Sequence, residues 1–167
     1  MLRLAGVIDR ALAAILRPVV ALGMAALIAV ITLQIVSRVF FTAVGWTEEV
    51  ARFLLIWLTF LGAALAWQQG RHIAVTVVVD LMPGGARRGL QIGALAVVCA
   101  FAVALAWLGW TYMEVSSFQR SPALRLRMSH VYAVIPLSAA LIAWFSLTDL
   151  LRLSVGQRLE GQGGMPP

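Results

Sequence analysis

Residues 46–83 read W-T-E-E-V-A-R-F-L-L-I-W-L-T-F-L-G-A-A-L-A-W-Q-Q-G-R-H-I-A-V-T-V-V-V-D-L-M-P. The acidic pair Glu48-Glu49 opens an apolar run, and the run ends in Gln68-Gln69-Gly70-Arg71-His72. A short alternating segment follows and stops at Pro83. The run supplies the roughly 20 apolar residues that a helix needs to cross a bilayer. The stretch therefore reads as a transmembrane helix with charge where it begins. A cytoplasmic turn and an amphipathic segment at the membrane surface come after it.

The rest of the chain divides in the same way. Of its 167 residues, 62% are hydrophobic and 12% charged, against about 45–50% and about 25% in soluble domains. Spans are expected at about 19–37, 48–67, 89–111 and 131–151, each near the length that a bilayer requires. The fold class is an all-α membrane protein with four transmembrane helices. An interfacial helix precedes the first, and an interfacial segment joins the second to the third. Residues 1–155 form one domain in this reading, and the Gly- and Pro-rich residues 156–167 a disordered tail.

At the N-terminus Leu4, Ile8, Leu12 and Ile15 or Leu16 share a helical face, interrupted by Arg3, Asp9, Arg10 and Arg17. This reads as a lead-in helix at the interface. A cleaved signal peptide is the rival, but the apolar run from Val19 to Val36 is long for one and no small-x-small cleavage site follows. Trp46 is placed to anchor the second span at the interface. Glu48 and Arg52 are spaced to pair on one helical face. Gly62, Ala63, Ala64 and Ala66 would let a neighbouring helix approach closely, as would Gly89, Gly93, Ala96, Ala100 and Ala104 in the third span. For the third span, close packing within the bundle is the expectation, with a dimerisation face as the alternative. Ile73, Val75, Val77 and Val79 alternate like a strand, yet an open sheet edge cannot sit in lipid. An interfacial segment, helical or extended, is preferred. Pro136 is placed to kink the start of the fourth span.

The net charge is +6 and every basic residue is an arginine. These arginines sit in the connections, where they set topology and meet lipid phosphate. No basic cluster with interleaved aromatics lies on a soluble surface, so nucleic-acid binding is rejected. Arg3, Arg10, Arg17, Arg71, Arg87, Arg88, Arg152 and Arg158 fall on one side, which places both termini in the cytoplasm. Arg38, Arg120, Arg125 and Arg127 are left outside, a misfit that needs a cause.

Ionisable side chains at hydrocarbon depth usually mark function, and the middles of these four spans hold none. A lone ion-coupled transporter normally carries such groups or broken helices near the midplane. A haem-binding bundle needs axial ligands within its spans, but His72 and His130 lie in connections. Cys99 is alone, which allows no disulfide within the chain and no cysteine metal cluster. No catalytic constellation and no cofactor site is evident, so an accessory membrane subunit is the reading, not an enzyme. A self-contained small transporter or channel is the alternative, and a four-helix redox protein a third.

The stretch W-T-E-E-V-A-R-F-L-L-I-W-L-T-F-L-G-A-A-L-A, with R-H-I-A-V and L-M-P after it, resembles the small membrane subunit of tripartite ATP-independent periplasmic (TRAP) transporters, the DctQ-like family. Ser121-Pro122-Ala123-Leu124 and Tyr132-Ala133-Val134-Ile135-Pro136-Leu137 extend the likeness over nearly the whole chain. The resemblance implies four spans with both termini inside and a bacterial inner-membrane location. It implies a large permease subunit as partner, carrying substrate by a sodium-driven elevator movement. It also implies a periplasmic binding protein that delivers an organic acid. Sodium coupling is then expected in the partner subunit, and this chain scaffolds it among membrane lipids. Two positions depart from the family's pattern. Thr76 stands where an acid is common, with Asp80 later, and Arg127-Met128-Ser129-His130 stands where Pro-Met-Trp is common.

Candidate residues follow. Glu48, Glu49 and Arg52 either suit the positive end of a helix dipole or fix this subunit against the large one. Trp46 and Gly62 join them as interface or structural candidates. Arg71 and His72 either meet lipid phosphate or form a turn that positions residues 73–82. Arg120, Arg125 and Arg127 form either a solvated loop or a docking patch for an acidic face of the binding protein. Trp57 and Trp144 read as packing or lipid-facing residues, not as a substrate cage.

Overall fold

The computed structural model describes residues 2–40, 45–79 and 84–154, with the side chains of 6–40, 45–69 and 89–154. The tail at 156–167 and the side chains of Arg71 and His72 lie outside the described residues. Three long helices, α1 (Leu2–Phe40), α2 (Gly45–Val79) and α3 (Gly84–Val115), are followed by a 3-10 turn at Ser116–Phe118. A short hairpin leads to α4 (Met128–Tyr132) and α5 (Val134–Ser154). Four helical stretches, Gly6–Phe40, Gly45–Gln69, Gly89–Phe118 and Met128–Ser154, are long and apolar enough to cross a membrane. The described residues contain no strand longer than an isolated bridge.

The lead-in and the first span are one helix. α1 has 39 residues, which at 1.5 Å each makes about 58 Å, against a hydrocarbon core of about 30 Å. Pro18 lies inside it and removes only one backbone donor; Ala14, whose carbonyl loses that donor, is itself exposed. α2 also runs past its expected end. The turn expected around Gln68–His72 is helical backbone, and the alternating segment stays helical to Val79. Gln and Arg are good helix formers, and Gly70 gives the largest single opposition to continuation, about 1 kcal/mol.

Helix α5 is the element that the others meet. α1 lies beside α2, α2 beside α5, and α5 beside α3, while α1 and α3 do not meet among the described residues. The result is an open row. One apolar cluster joins Leu16, Leu61, Val134 and Phe145; another joins Leu95 and Leu153, with Trp67 touching both. Large apolar side chains such as Leu22, Val97, Phe101 and Trp107 remain exposed. In a membrane they would face lipid or another protein.

The α3–α5 contact corrects one expectation. Gly93, Ala96, Ala100 and Ala104 face outward, and a Cβ at Gly89 or Gly93 would meet nothing within 4 Å. α3 packs instead through Gln91, Leu95, Ala102 and Gly109, spaced along another face. Close approach is possible there because α5 brings its own small residues, Ser138, Ala139 and Ser146, all buried. Gly109 is the exception on α3: a Cβ there would lie 2.9 Å from Ile135 Cγ2 and 3.1 Å from the Pro136 backbone nitrogen. Gly109→Ala is therefore expected to lower stability by about 1–3 kcal/mol, measured as a drop in the unfolding midpoint in detergent. Gly93→Ala should leave the midpoint unchanged.

Pro136 acts as the sequence predicts. It has no N–H to offer the Tyr132 carbonyl four residues back, and the helix is interrupted at Ala133. Backbone bonds from Ala133 N to Ser129 O (2.9 Å) and Leu137 N to Ala133 O (3.3 Å) bracket the break.

Candidate functional site

Polar contacts between elements gather at the hairpin that leads into α5 and along the C-terminal half of α5. At the hairpin end, Ser121 N donates to Leu126 O (2.9 Å), Arg125 N to Ser121 O (3.1 Å) and Met128 N to Gln119 O (3.0 Å). Arg125 closes the turn in the left-handed region, with φ 53°. The turn leaves the amides of Ala123 and Leu124 pointing at α2, without backbone acceptors within the turn. Glu49, in the first turns of α2, supplies the partner. Its Oε1 accepts from Ala123 N (2.8 Å), and its Oε2 from Leu124 N (3.0 Å) and Ser121 Oγ (2.5 Å). One carboxylate thus fastens the α3–α4 connection to the start of α2.

Glu48 and Arg52 behave differently. They pair at 3.2 Å as their spacing predicts, but both side chains are about two-thirds exposed, at 65% and 66%. Such a pair contributes little. The sequence treats the two glutamates alike, yet only Glu49 reaches the hairpin. Trp46 is exposed, and Gly62 has nothing within 4 Å of where a Cβ would stand. Both surfaces are open. Arg120, Arg125 and Arg127 are all exposed on the hairpin. Trp107, Trp110 and Tyr112 are exposed nearby on α3, and Trp110 Nε1 donates to Glu114 Oε1 (2.8 Å). Tyr112 meets Tyr132 edge to face, with centroids 4.9 Å apart.

The opposite end of α5 holds a cluster that sequence reasoning missed. Asp9 of α1 is 3% exposed. Its Oδ1 accepts from Trp144 Nε1 (3.2 Å), and its Oδ2 from Thr148 Oγ1 (3.4 Å) and Arg152 Nη2 (3.3 Å). Arg152 Nη1 also lies 3.9 Å from Asp149 Oδ1. Trp144, Thr148 and Arg152 are spaced four apart, one stripe down α5. Asp9 shares its face with the buried Ala13 and Leu16, and that spacing was the available signal. Trp144, read as packing or lipid-facing, is a hydrogen-bond donor here.

Among the described residues no three His, Cys, Asp or Glu side chains gather as a metal site. The Cys99 thiol sits at 4.0 Å from the Ala143 carbonyl in the α3–α5 contact. The contacts described hold helices to one another at both ends of α5.

Comparison with known proteins bears on the same region. A sequence profile of the DctQ component of tripartite ATP-independent periplasmic transporters matches residues 27–156. The isethionate TRAP transporter permease protein DctMQ of Oleidesulfovibrio alaskensis is 32% identical over 146 residues, 80% of this chain but 22% of that protein. The sialic acid TRAP transporter small permease protein SiaQ of Vibrio cholerae is 28% identical over 131 residues, 78% of this chain and 76% of that protein. The ectoine TRAP transporter small permease protein TeaB of Halomonas elongata is 45% identical over 47 residues, 28% of this chain and 24% of that protein. The chain thus spans about a fifth of the length of the first of these relatives. A profile match that takes in the hairpin, α5 and most of the row around it shows that the chain belongs to the DctQ family, as a multi-pass small membrane subunit of TRAP transporters.

Proposed function

We propose that this subunit scaffolds a large permease subunit in a bacterial inner membrane, enlarging the immobile part against which the transporting part slides. One observation carries the reading: the row is fastened by Glu49 at one end of α5 and by Asp9 at the other, while broad apolar faces stay open. A part that holds its shape and offers unsatisfied surface suits a support. Transport is driven by sodium bound in the large subunit, and this chain needs no cofactor. The substrate class is an organic acid brought by a periplasmic binding protein; two relatives carry isethionate and sialic acid in their names. The arginine distribution supports cytoplasmic termini, with the hairpin outside. Trp46, Glu48, Arg52 and Gly62 are the surfaces we assign to the large subunit. Arg71 and His72 are assigned to the cytoplasmic surface.

The test is co-purification with the permease, then uptake into liposomes with and without this chain. Uptake that needs the chain supports the proposal. Sodium-dependent flux through the lone chain would replace it with a self-contained transporter or channel. The binding protein is proposed to land at the hairpin tip, where Arg125 presents its charge. Arg125→Glu should raise the concentration of loaded binding protein needed for half-maximal uptake, more strongly at low salt, and leave the maximal rate unchanged. An unaltered concentration dependence at every salt would remove that part.

A further inference from the structure

Arg120 and Arg127 face each other across the base of the hairpin in an antiparallel bridge. The bonds that frame them run from Ser121 N to Leu126 O and from Met128 N to Gln119 O. The two arginines are thus the non-hydrogen-bonded kind of pair. In that kind the Cα atoms stand only about 4.5 Å apart and both side chains leave on one face. Like charges directly opposite destabilise a hairpin. No carboxylate among the described residues pairs with either guanidinium.

The depth of the pair indicates what neutralises it. Arg120 is two residues past Phe118, where one apolar span ends, and Arg127 is one residue before Met128, where the next begins. At no more than about 3.5 Å per residue, both lie within about 7 Å of the span ends. The helical stretch Gly89–Phe118 has 30 residues, about 45 Å, which matches the roughly 40–45 Å of the hydrocarbon with both headgroup layers, so its end reaches headgroup level. Phe118, two residues before Arg120, is 92% exposed, and Leu126, next to Arg127, is 49% exposed. Aromatic and apolar side chains with no protein cover suit the membrane interface and not open water.

We propose that the Arg120–Arg127 pair is a binding site for the phosphate of an anionic phospholipid, held between the two guanidinium groups while Phe118 and Leu126 enter the interface. The site accounts for two of the arginines that the topology leaves outside. It rests on the membrane reading and not on the transporter assignment. The tip, with Arg125, stays free for a soluble partner.

The experiment uses the purified full chain in neutral detergent. Thermal stability is followed as phosphatidylglycerol, phosphatidylcholine or inorganic phosphate is added, and retained lipid is counted by native mass spectrometry. Phosphatidylglycerol should raise the unfolding midpoint, and the other two should not. Arg120→Gln/Arg127→Gln should lose that rise and retain roughly tenfold less anionic lipid. Without lipid, at low salt, the double variant should be at least as stable as the parent, because the opposed charges are gone. Arg125→Gln removes a charge two residues away and should keep the lipid. The proposal is overturned if the double variant retains as much phosphatidylglycerol as the parent, or if Arg125→Gln loses as much. It is also overturned if phosphatidylcholine or inorganic phosphate stabilises the parent equally, or if a cognate binding protein displaces the lipid from the parent. Where the double variant does not fold, the parent's response to the three additives decides.

Discussion

Glu49→Ala is expected to release the hairpin while the rest of the subunit stays folded. The carboxylate is the acceptor for Ser121 Oγ and for the amides of Ala123 and Leu124, and no backbone carbonyl replaces it in that turn. Amide exchange reads this directly. Ala123 and Leu124 should exchange faster by on the order of a hundredfold, since local opening sets protection in a short connection. Amides in the body of α5 should keep their rates. Glu49→Gln retains one acceptor oxygen and should fall between the two. Glu48→Ala, which removes an exposed pair, should leave exchange at Ala123 and Leu124 unchanged. Under the proposed function, uptake in the reconstituted transporter falls with Glu49→Ala because the outer rim of the support is no longer fixed. Unchanged exchange at Ala123 and Leu124 would show that Glu49 does not hold the turn.

Asp9→Ala carries the largest expected loss of stability. Three donors from α5, on Trp144, Thr148 and Arg152, converge on that carboxylate. The Arg152 side chain is 12% exposed. Removing one partner of a buried pair costs about 3–5 kcal/mol, and the lower part of that range is expected here because Asp149 stays 3.9 Å from Arg152. The measurement is chemical or thermal unfolding in detergent, with the yield of monodisperse subunit as a second reading. Asp149, buried 3.9 Å from Arg152, belongs to the same cluster, so Asp9→Leu with Thr148→Val, Asp149→Leu and Arg152→Met, which removes all three charges and a donor together, should be milder than the single change. If Asp9→Ala unfolds at the same midpoint as the parent, the cluster does not join α1 to α5.

The spans were legible because about 20 consecutive apolar residues have few other uses. Pro136 was legible for an equally local reason, the missing N–H near the start of a helix, although Pro18 stands inside α1 without ending it. Long-range partnerships were not. Glu49 and Ser121 are 72 residues apart, and Asp9 and Arg152 are 143 apart. Nothing in the helix-start chemistry of Glu48-Glu49 tells which carboxylate bends toward a loop that has yet to be built. The small residues of α3 misled because any such stripe permits close approach without requiring it. The stripe used is on α5, where Ser138 and Ser146 look like ordinary polar interruptions. The polar run at Gln68–His72 read as a turn because its chemistry changes there, yet helix propensity hardly does.

The place of α5 has a consequence for biogenesis. α1 and α2 pack on each other directly, but the main neighbour of α3 is α5, an element that follows it in the chain. α3 can enter the bilayer before the face it packs against has been translated, and until then Gly109 and the Asp9 carboxylate wait without their final neighbours. Insertion and assembly are therefore separate events for this subunit. A ribosome stalled before Val134 would leave α3 in the membrane without its main partner, the kind of substrate that quality-control proteases of the membrane remove.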